Sequence, residues 1–458
     1  MTTTVKKTVA AIVADRPRRT EVLIVGAGPV GLFLAGLLVS RGVDVAVLER
    51  RENPPEHSRA IGLHPPALDA LAALELDERA VAEGVTVRRG VGYGDSRFLG
   101  EITFERAHPR RPFVLTLPQS RTEKLLAGHL EELAPGVVHR GVEVVDLQGH
   151  GGQSDPSTPP STPPPTPLPD AGPVRVTARV TGDTAGDTAG DTAGDTAEWE
   201  ADVVVGADGT RSRIRELAGI GVERRDWGDC YLMGDFADDA DGAAGADRVA
   251  AIHLHRDGVV ESFPLSNGQR RWVAHTSRAR REESADGLVE LIEARLPASA
   301  LLDPPRAETA TMVSAFRVQR LLARRMVSDR VILVGDAAHS ISPIGGQGMT
   351  LGWLDALAVA PLIQRCVRHS GPDVGAESGH TRSALDPGVT AALERFDRGR
   401  RRAARFAARQ AELNMLLGRP WPATVCWGRD TVFRTVLTAG LQQRLARVYT
   451  MGWARPNS

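Results

Sequence analysis

The chain has 458 residues, 42% apolar and 25% charged, which at about 150 residues per domain gives two or three lobes with a buried core and excludes a disordered or fibrous protein. Lysine and arginine total 56 against 57 aspartates and glutamates, a net charge of −1, so no overall field draws the chain to nucleic acid or to an anionic membrane. Three widely spaced cysteines, Cys230, Cys366 and Cys426, suggest neither a disulfide framework nor a zinc site and fit a reducing cytoplasm, and no stretch approaches the roughly 18 apolar residues of a bilayer span.

Residues 1–20 read as a flexible tail. Glu21–Val25 is then an apolar run leading into glycines, Leu32–Ser40 an apolar helix and Val43–Leu48 a second apolar strand. This βαβ pattern predicts a parallel sheet and an α/β first domain over 21–221. Between the elements, Gly26-Ala27-Gly28-Pro29-Val30-Gly31 has the spacing GxGxxG. The first glycine allows a tight turn, the second lets a pyrophosphate approach the backbone, and the third lets helix and strand pack closely. The helix start beyond offers free N–H groups and a positive dipole end to phosphate. Glu49 closes the second strand, where an acidic side chain accepts hydrogen bonds from a ribose; a structural turn beside a solvated Glu49 is the plainer alternative.

Residues 151–173 hold nine prolines, and 182–197 repeat Gly-Asp-Thr-Ala four times. Neither composition can bury a core. With strand-like 174–181 between them and 198–206 after, both read as swollen turns of a β-meander, tolerable because loop-closure cost grows only logarithmically with length. Val203–Arg215 (VVVGADGTRSRIR) is an apolar strand running into Asp208-Gly209. From 249 to 276 the runs VAAIHLH, VVESFPL and RRWVAHT alternate, punctuated by Asp257-Gly258 and Asn267-Gly268, both hairpin dipeptides. An antiparallel β-sheet substrate domain is expected over 222–325. His253 and His255 are expected to share one face of its first strand, from which they could line a cavity, although that is the lesser reading; no third ligand is spaced for a metal.

Val331–Asp355 (VILVGDAAHSISPIGGQGMTLGWLD) returns to the first domain, over 326–368: a strand ends at Gly335-Asp336, and Gly345, Gly346 and Gly348 precede a helix. Asp336 is also a candidate N-cap. Ser212 and Ser340 near His339 make no nucleophilic triad, since no acid is placed to orient the histidine. Residues 369–458 read as a helical region, whose seven arginines over 395–409 suggest a solvated helix face.

With these three motifs in this order and spacing, the chain resembles the class A flavoprotein monooxygenases, the para-hydroxybenzoate hydroxylase-like family with its many aromatic polyketide hydroxylases, over roughly residues 20–410. The resemblance implies a Rossmann-like FAD-binding domain with an inserted antiparallel sheet. It implies that Gly26, Gly28, Gly31 and Glu49 hold the ADP half of FAD, that Arg59 lies near the pyrophosphate and flavin edge, and that Gln119 contacts the cofactor. Asp208 and Gly209 would lie near the pyrophosphate with a link to NAD(P)H use, Asp336 on the ribityl chain, and Pro343, Gly345, Gly346, Gly348 and Met349 against the flavin ring. Backbone N–H groups there would stabilise the anionic reduced flavin. Thr350 departs from the asparagine usual after GxGM, no thioredoxin-like domain is expected to follow, and the lack of a second GxGxxG fits transient NAD(P)H binding. The implied reaction is oxygenation of an aromatic or polyketide-like small molecule by NAD(P)H and O2 through a flavin C4a-hydroperoxide, by a cytoplasmic monomer or homodimer with no nucleic-acid or membrane partner. An FAD-dependent reductase of the geranylgeranyl reductase type is the alternative.

Overall fold

The computed structural model describes residues 17–54, 60–95, 97–149, 172–180, 196–238, 248–276, 283–297, 300–368, 386–438 and 441–454. Residues 1–16, Arg59 and nearly all of both inserts lie outside the described residues.

The first sheet comprises β1 (Arg18–Val25), β2 (Val45–Glu49), β8 (Val138–Arg140), β9 (Val142–Gln148), β10 (Val174–Val180), β11 (Thr196–Gly206), β17 (Val327–Ser328) and β18 (Val331–Leu333). Its central path runs β18-β11-β1-β2-β8, all parallel. Near-continuous apolar strands are what a parallel sheet buried on both faces requires, and Val22–Ile24, Val203–Val205 and Val331–Leu333 are buried accordingly. β1 starts at Arg18, inside the expected tail, because its pairing with β11 begins at Arg18 opposite Trp199. β9, β10 and β11 form an antiparallel meander whose turns are the two inserts.

Helix α1 (Pro29–Val39) follows β1 and crosses α7 (Gly348–Arg368). Phe33 and Trp353 meet at 5.4 Å between ring centroids, and Trp353 Nε1 donates to the Pro29 carbonyl at 2.9 Å. The crossing needs a glycine: a Cβ on Gly352 would come within 2.4 Å of Val30 Cγ2.

The second sheet runs β19-β16-β12-β15-β14-β13-β5-β6. Its strands are β5 (Arg89–Tyr93), β6 (Phe98–Thr103), β12 (Val222–Ala237), β13 (Val249–His253), β14 (Val260–Leu265), β15 (Gln269–Thr276), β16 (Met312–Ala323) and β19 (His339–Ser340). All neighbours are antiparallel except β13 and β5. The strands that flank the inserted segment, β5 and β6 before it and β19 after it, come from the α/β portion. Asn267 and Gly268, each with φ +64°, make the tight β14–β15 turn. One face carries Leu232, Phe236 and Trp272 under α6 (Ala285–Glu293). The other carries Tyr231, Met233, Val273 and Phe316 against Ile344 and Met415, the latter on α8 (Pro387–Gly418). The expected pairing of His253 and His255 fails: β13 ends at His253, which stacks on Tyr93 at 4.9 Å, whereas His255 lies past the strand and accepts from the Asp257 N–H at 3.2 Å.

A three-stranded sheet of β3 (Gly62–Leu63), β7 (Val114–Thr116) and β4 (Val85–Val87) packs against β14 of the second sheet, where the Thr116 hydroxyl donates to the Pro264 carbonyl at 2.6 Å. The remaining helices are α2 (Pro65–Leu71), α3 (Asp77–Glu83), α4 (Gln119–Leu133), α5 (Arg213–Leu217), α9 (Ala423–Thr438) and α10 (Gln442–Tyr449). Among the described residues no helix is long and apolar enough to cross a membrane.

Candidate functional site

The three motifs converge at the carboxyl ends of β1, β2, β11 and β18, the edge where open α/β sheets bind ligands. Gly26 turns at φ +108°, and a Cβ there would meet the Ala207 carbonyl at 2.4 Å; one on Gly31 would meet the Gly26 carbonyl at 1.9 Å. Gly28 differs, for nothing lies within 4 Å of its Cβ position. Two glycines are thus demanded by the fold, and the middle one faces open space at the start of α1, where a phosphate-bearing group fits.

Glu49, buried at the end of β2, accepts from the Ala27 N–H at 2.9 Å through Oε2, and from the Arg51 N–H and Nε at 3.0 Å through Oε1. Burial alone would raise its pKa, but these donors outweigh burial and lower it. Gln119, at the start of α4, donates to Glu123 Oε1 at 2.7 Å. Glu123 is a buried acid the sequence did not mark, and its pKa is raised by burial despite Gln119.

Asp208 accepts through Oδ2 from the Arg213 and Ile214 N–H groups at 2.6 and 3.1 Å, capping the short α5, while its Oδ1 is enclosed without a partner. Gly209 follows at φ +79° with open space at its Cβ position. Arg215, also unmarked in the sequence, is buried and bridges the two later motifs: Nη1 donates to the Ala337 carbonyl at 2.9 Å and Nη2 to the Thr210 carbonyl at 3.1 Å.

Asp336 sits in the single turn Gly335–Ala337, with Oδ1 4.0 Å from where a Gly348 Cβ would stand, at the start of α7. It caps no helix, and the Thr210 hydroxyl lies 3.4 Å from its Oδ2. The carboxyl opens onto the crevice but is crowded by protein behind, which raises its pKa. Beneath it lies a second unexpected arrangement. Asp355 is fully buried and accepts from His339 Nε2 at 2.6 Å and the Gly335 N–H at 3.0 Å through Oδ2, and from Arg400 Nε at 2.7 Å through Oδ1. An acid does therefore orient His339, contrary to the sequence reading, although no serine joins it. The arginine-rich face is likewise not wholly solvated, since Arg400 is 2% exposed. Burial works against both charges; Asp355 nonetheless raises the His339 pKa, and His339 with Arg400 lowers that of Asp355.

The segment Pro343–Gly348 is a tight turn closed by the Gly346 N–H on the Pro343 carbonyl at 2.9 Å, with φ +101° at Gly345 and +64° at Gly346. His64 anchors it: Nε2 donates to the Gly345 carbonyl at 2.8 Å, which assigns the proton to Nε2, and burial lowers the ring's pKa to about 4, so it is neutral. Thr350 is enclosed and its hydroxyl has no partner. Pro343 is exposed, and Met349 is buried at the helix start. Among the described residues no group of three or more His, Cys, Asp or Glu is placed to hold a metal ion.

The solved structure of p-nitrophenol 4-monooxygenase PnpA from Pseudomonas putida DLL-E4 superposes with a TM-score of 0.74 at 20% identity, covering 96% of this chain and 99% of that one. OxyS anhydrotetracycline hydroxylase from Streptomyces rimosus gives 0.68 at 25% identity, with 95% and 77% covered. In sequence, 6-methylpretetramide 4-monooxygenase of Streptomyces rimosus is 33% identical over 380 residues, 81% of this chain and 58% of that protein. Rifampicin monooxygenase of Streptomyces venezuelae is 31% identical over 341 residues, 73% and 62% respectively. The chain thus spans roughly three fifths of the length of these curated relatives. A family model described as FAD binding domain matches residues 19–158 and 174–384, and the chain belongs to that FAD-binding family.

Proposed function

We propose that the chain is an FAD-dependent monooxygenase that uses NAD(P)H and O2 to oxygenate an aromatic or polyketide-like small molecule, working in the cytoplasm as a monomer or homodimer. The observation that carries the reading is the crevice itself. Gly28 leaves open backbone at a helix start, Asp208 Oδ1 is an enclosed acceptor without a donor, and Asp336 stands over the start of α7. These features fit FAD: Gly28 and the α1 N-terminus take the pyrophosphate, with Asp208 and Gly209 near it, Glu49 a ribose hydroxyl and Asp336 a ribityl hydroxyl, Gln119 makes a further contact with the cofactor, and Arg59, outside the described residues, is assigned to the pyrophosphate and flavin edge. When bound, FAD supplies acceptance of hydride from the nicotinamide and delivery of one oxygen atom.

The chain's own residues do the positioning. Glycines 345, 346 and 348 let the ring sit against backbone, with Pro343 and Met349 flanking it. The N–H groups at the start of α7 place partial positive charge at the ring's anionic edge. His64 holds the turn in place, and the apolar sheet face behind Ile344 excludes water. The names of the relatives, monooxygenases of a pretetramide and of rifampicin, support an aromatic substrate. The test is to purify the protein, measure bound FAD by absorbance, and screen aromatic compounds for acceleration of NADPH oxidation. Stoichiometric FAD and a set of accelerating aromatics are expected; a colourless protein, or oxidation that no aromatic compound changes, contradicts the reading.

A further inference from the structure

Eight of the eleven large apolar side chains exposed among the described residues lie between 406 and 448, on or beside α8, α9 and α10. Scattered singly, such residues need no explanation, but a concentration of them marks a contact surface. The same stretch is strongly basic. Residues 387–458 hold thirteen arginines, no lysine and four acids, an excess of nine positive charges in a chain whose net charge is −1. The whole-chain total therefore conceals a local positive field at the C-terminal helices.

Helical period brings the two properties onto one stripe. On α8, Arg395, Arg402, Phe406, Arg409, Leu413 and Leu416 follow one another at steps of three, four or seven residues, which sets them on one side of the helix, and all six are exposed. Arg395, Arg402 and Arg409 make no hydrogen bond or ion pair among the described residues. The acids of α8 lie outside the stripe and are occupied: Glu394 with Arg398, Asp397 with Arg401 and the Met326 N–H, Glu412 with Arg320. α9 starts beside the end of α8, where Trp421 Nε1 donates to the Leu416 carbonyl at 2.8 Å and Arg429 Nη1 to the Leu417 carbonyl at 3.2 Å. It adds Val425, Trp427 and Val432, the last two 66% and 62% exposed. α10 lies alongside the stripe, since Gln410 donates to the Val448 carbonyl at 3.2 Å.

The charge decides what covers this face. A symmetric contact between two copies sets one patch against itself, so unpaired arginines would meet unpaired arginines. Nucleic acid would neutralise the arginines but leave Leu413, Val425 and Val432 without an apolar partner. An anionic bilayer surface answers both needs: headgroup phosphates take the guanidinium groups, while aliphatic side chains and an indole settle at the boundary of the acyl chains. We propose that the C-terminal helices form a peripheral docking face for anionic lipid, with Arg402 and Arg409 at headgroup phosphates and Phe406, Leu413, Trp427 and Val432 at the acyl boundary. The face lies on the surface of the protein and spans nothing, in keeping with the lack of a membrane-crossing helix among the described residues.

The test is co-sedimentation of the full chain, as purified, with vesicles of phosphatidylcholine alone and of phosphatidylcholine with roughly a third phosphatidylglycerol. Binding to the mixed vesicles is expected to be about tenfold or more tighter than to phosphatidylcholine, and to weaken when salt is raised from about 0.1 M to about 0.5 M. The double variant Arg402→Gln with Arg409→Gln should bind the mixed vesicles about tenfold or more weakly. Leu413→Ser with Trp427→Ser should also bind about tenfold more weakly, while keeping the salt dependence. All four side chains are exposed, so both variants should melt within a few degrees of wild type and keep its FAD content. No binding to either vesicle, equal binding to both, or binding that survives either double substitution would overturn the docking face. Two further measurements overturn it in favour of another occupant: a dimer in sedimentation velocity that Leu413→Ser with Trp427→Ser dissociates, or a DNA duplex that binds where mixed vesicles do not.

Discussion

Gly26, Gly28 and Gly31 share one motif, but the space around them differs, and that difference is testable. Gly31→Ala would set a methyl group 1.9 Å from the Gly26 carbonyl and should destabilise the protein by several kcal/mol, the range of severe overpacking. A Cβ at Gly28 meets nothing in the protein itself, so Gly28→Val should melt within a few degrees of wild type yet carry little FAD, as judged by absorbance of the purified protein. Glu261 gives a second prediction at this scale. Burial raises its pKa from the ordinary 4.5 to about 7, so the folded state holds this proton more tightly than the unfolded chain does. The stability that follows is complete below pH 4.5 and is lost as pH rises through 7, a loss of about 3 kcal/mol. Denaturant unfolding of Glu261→Gln should therefore match wild type near pH 4.5 and exceed it at pH 8; parallel curves would show the carboxyl to be solvated. The glycine spacing was legible in the sequence because it acts over six consecutive residues. Glu261 and Arg215 were not, because what sets them apart is burial and partners that only the folded chain brings near.

Among the elements, the strap under Asp336 ties three together. Asp355 on α7 holds His339 and Gly335 of the motif after β18 and Arg400 on α8. Asp355→Asn should leave the enclosed Arg400 without its counter-charge and cost roughly 3–5 kcal/mol, the range for one broken partner of a buried pair. Because the Gly335–Asp336 turn loses its anchor too, FAD should dissociate more readily, measured by fluorescence of the released flavin; unchanged stability and FAD retention would show the network to be passive. The βαβ start, the β14–β15 turn and the long helix from Gly348 were readable from apolar periodicity and turn residues. The addition of β5 and β6 to the second sheet was not, since it depends on pairing Arg89 with Val249, 160 residues away, and periodicity carries no partner information. The arginine run illustrates the same limit: a helical charge pattern shows one polar face but not that Arg400 points away from it.

For the whole molecule, the two inserts hang from a meander that is complete without them. A Cβ on Gly149 would lie 3.1 Å from the Pro173 carbonyl, and Arg179 pairs with Thr196, so the chain ends flanking each insert already lie side by side. Replacing residues 150–171 and 181–195 with short glycine-containing turns should leave FAD content and melting temperature near wild type, because such closures add little entropy cost; loss of either would mean that the inserts pack on the protein. The central claim, that this crevice oxygenates an aromatic or polyketide-like small molecule, is tested most directly by isotope. The FAD-loaded protein is supplied with NADPH, an accelerating aromatic compound from the screen and 18O-labelled O2, and the product is analysed by mass spectrometry. One labelled oxygen atom in the organic product is the predicted result; NADPH consumed with a reduced, unlabelled product would contradict the account and leave a flavin reductase in its place.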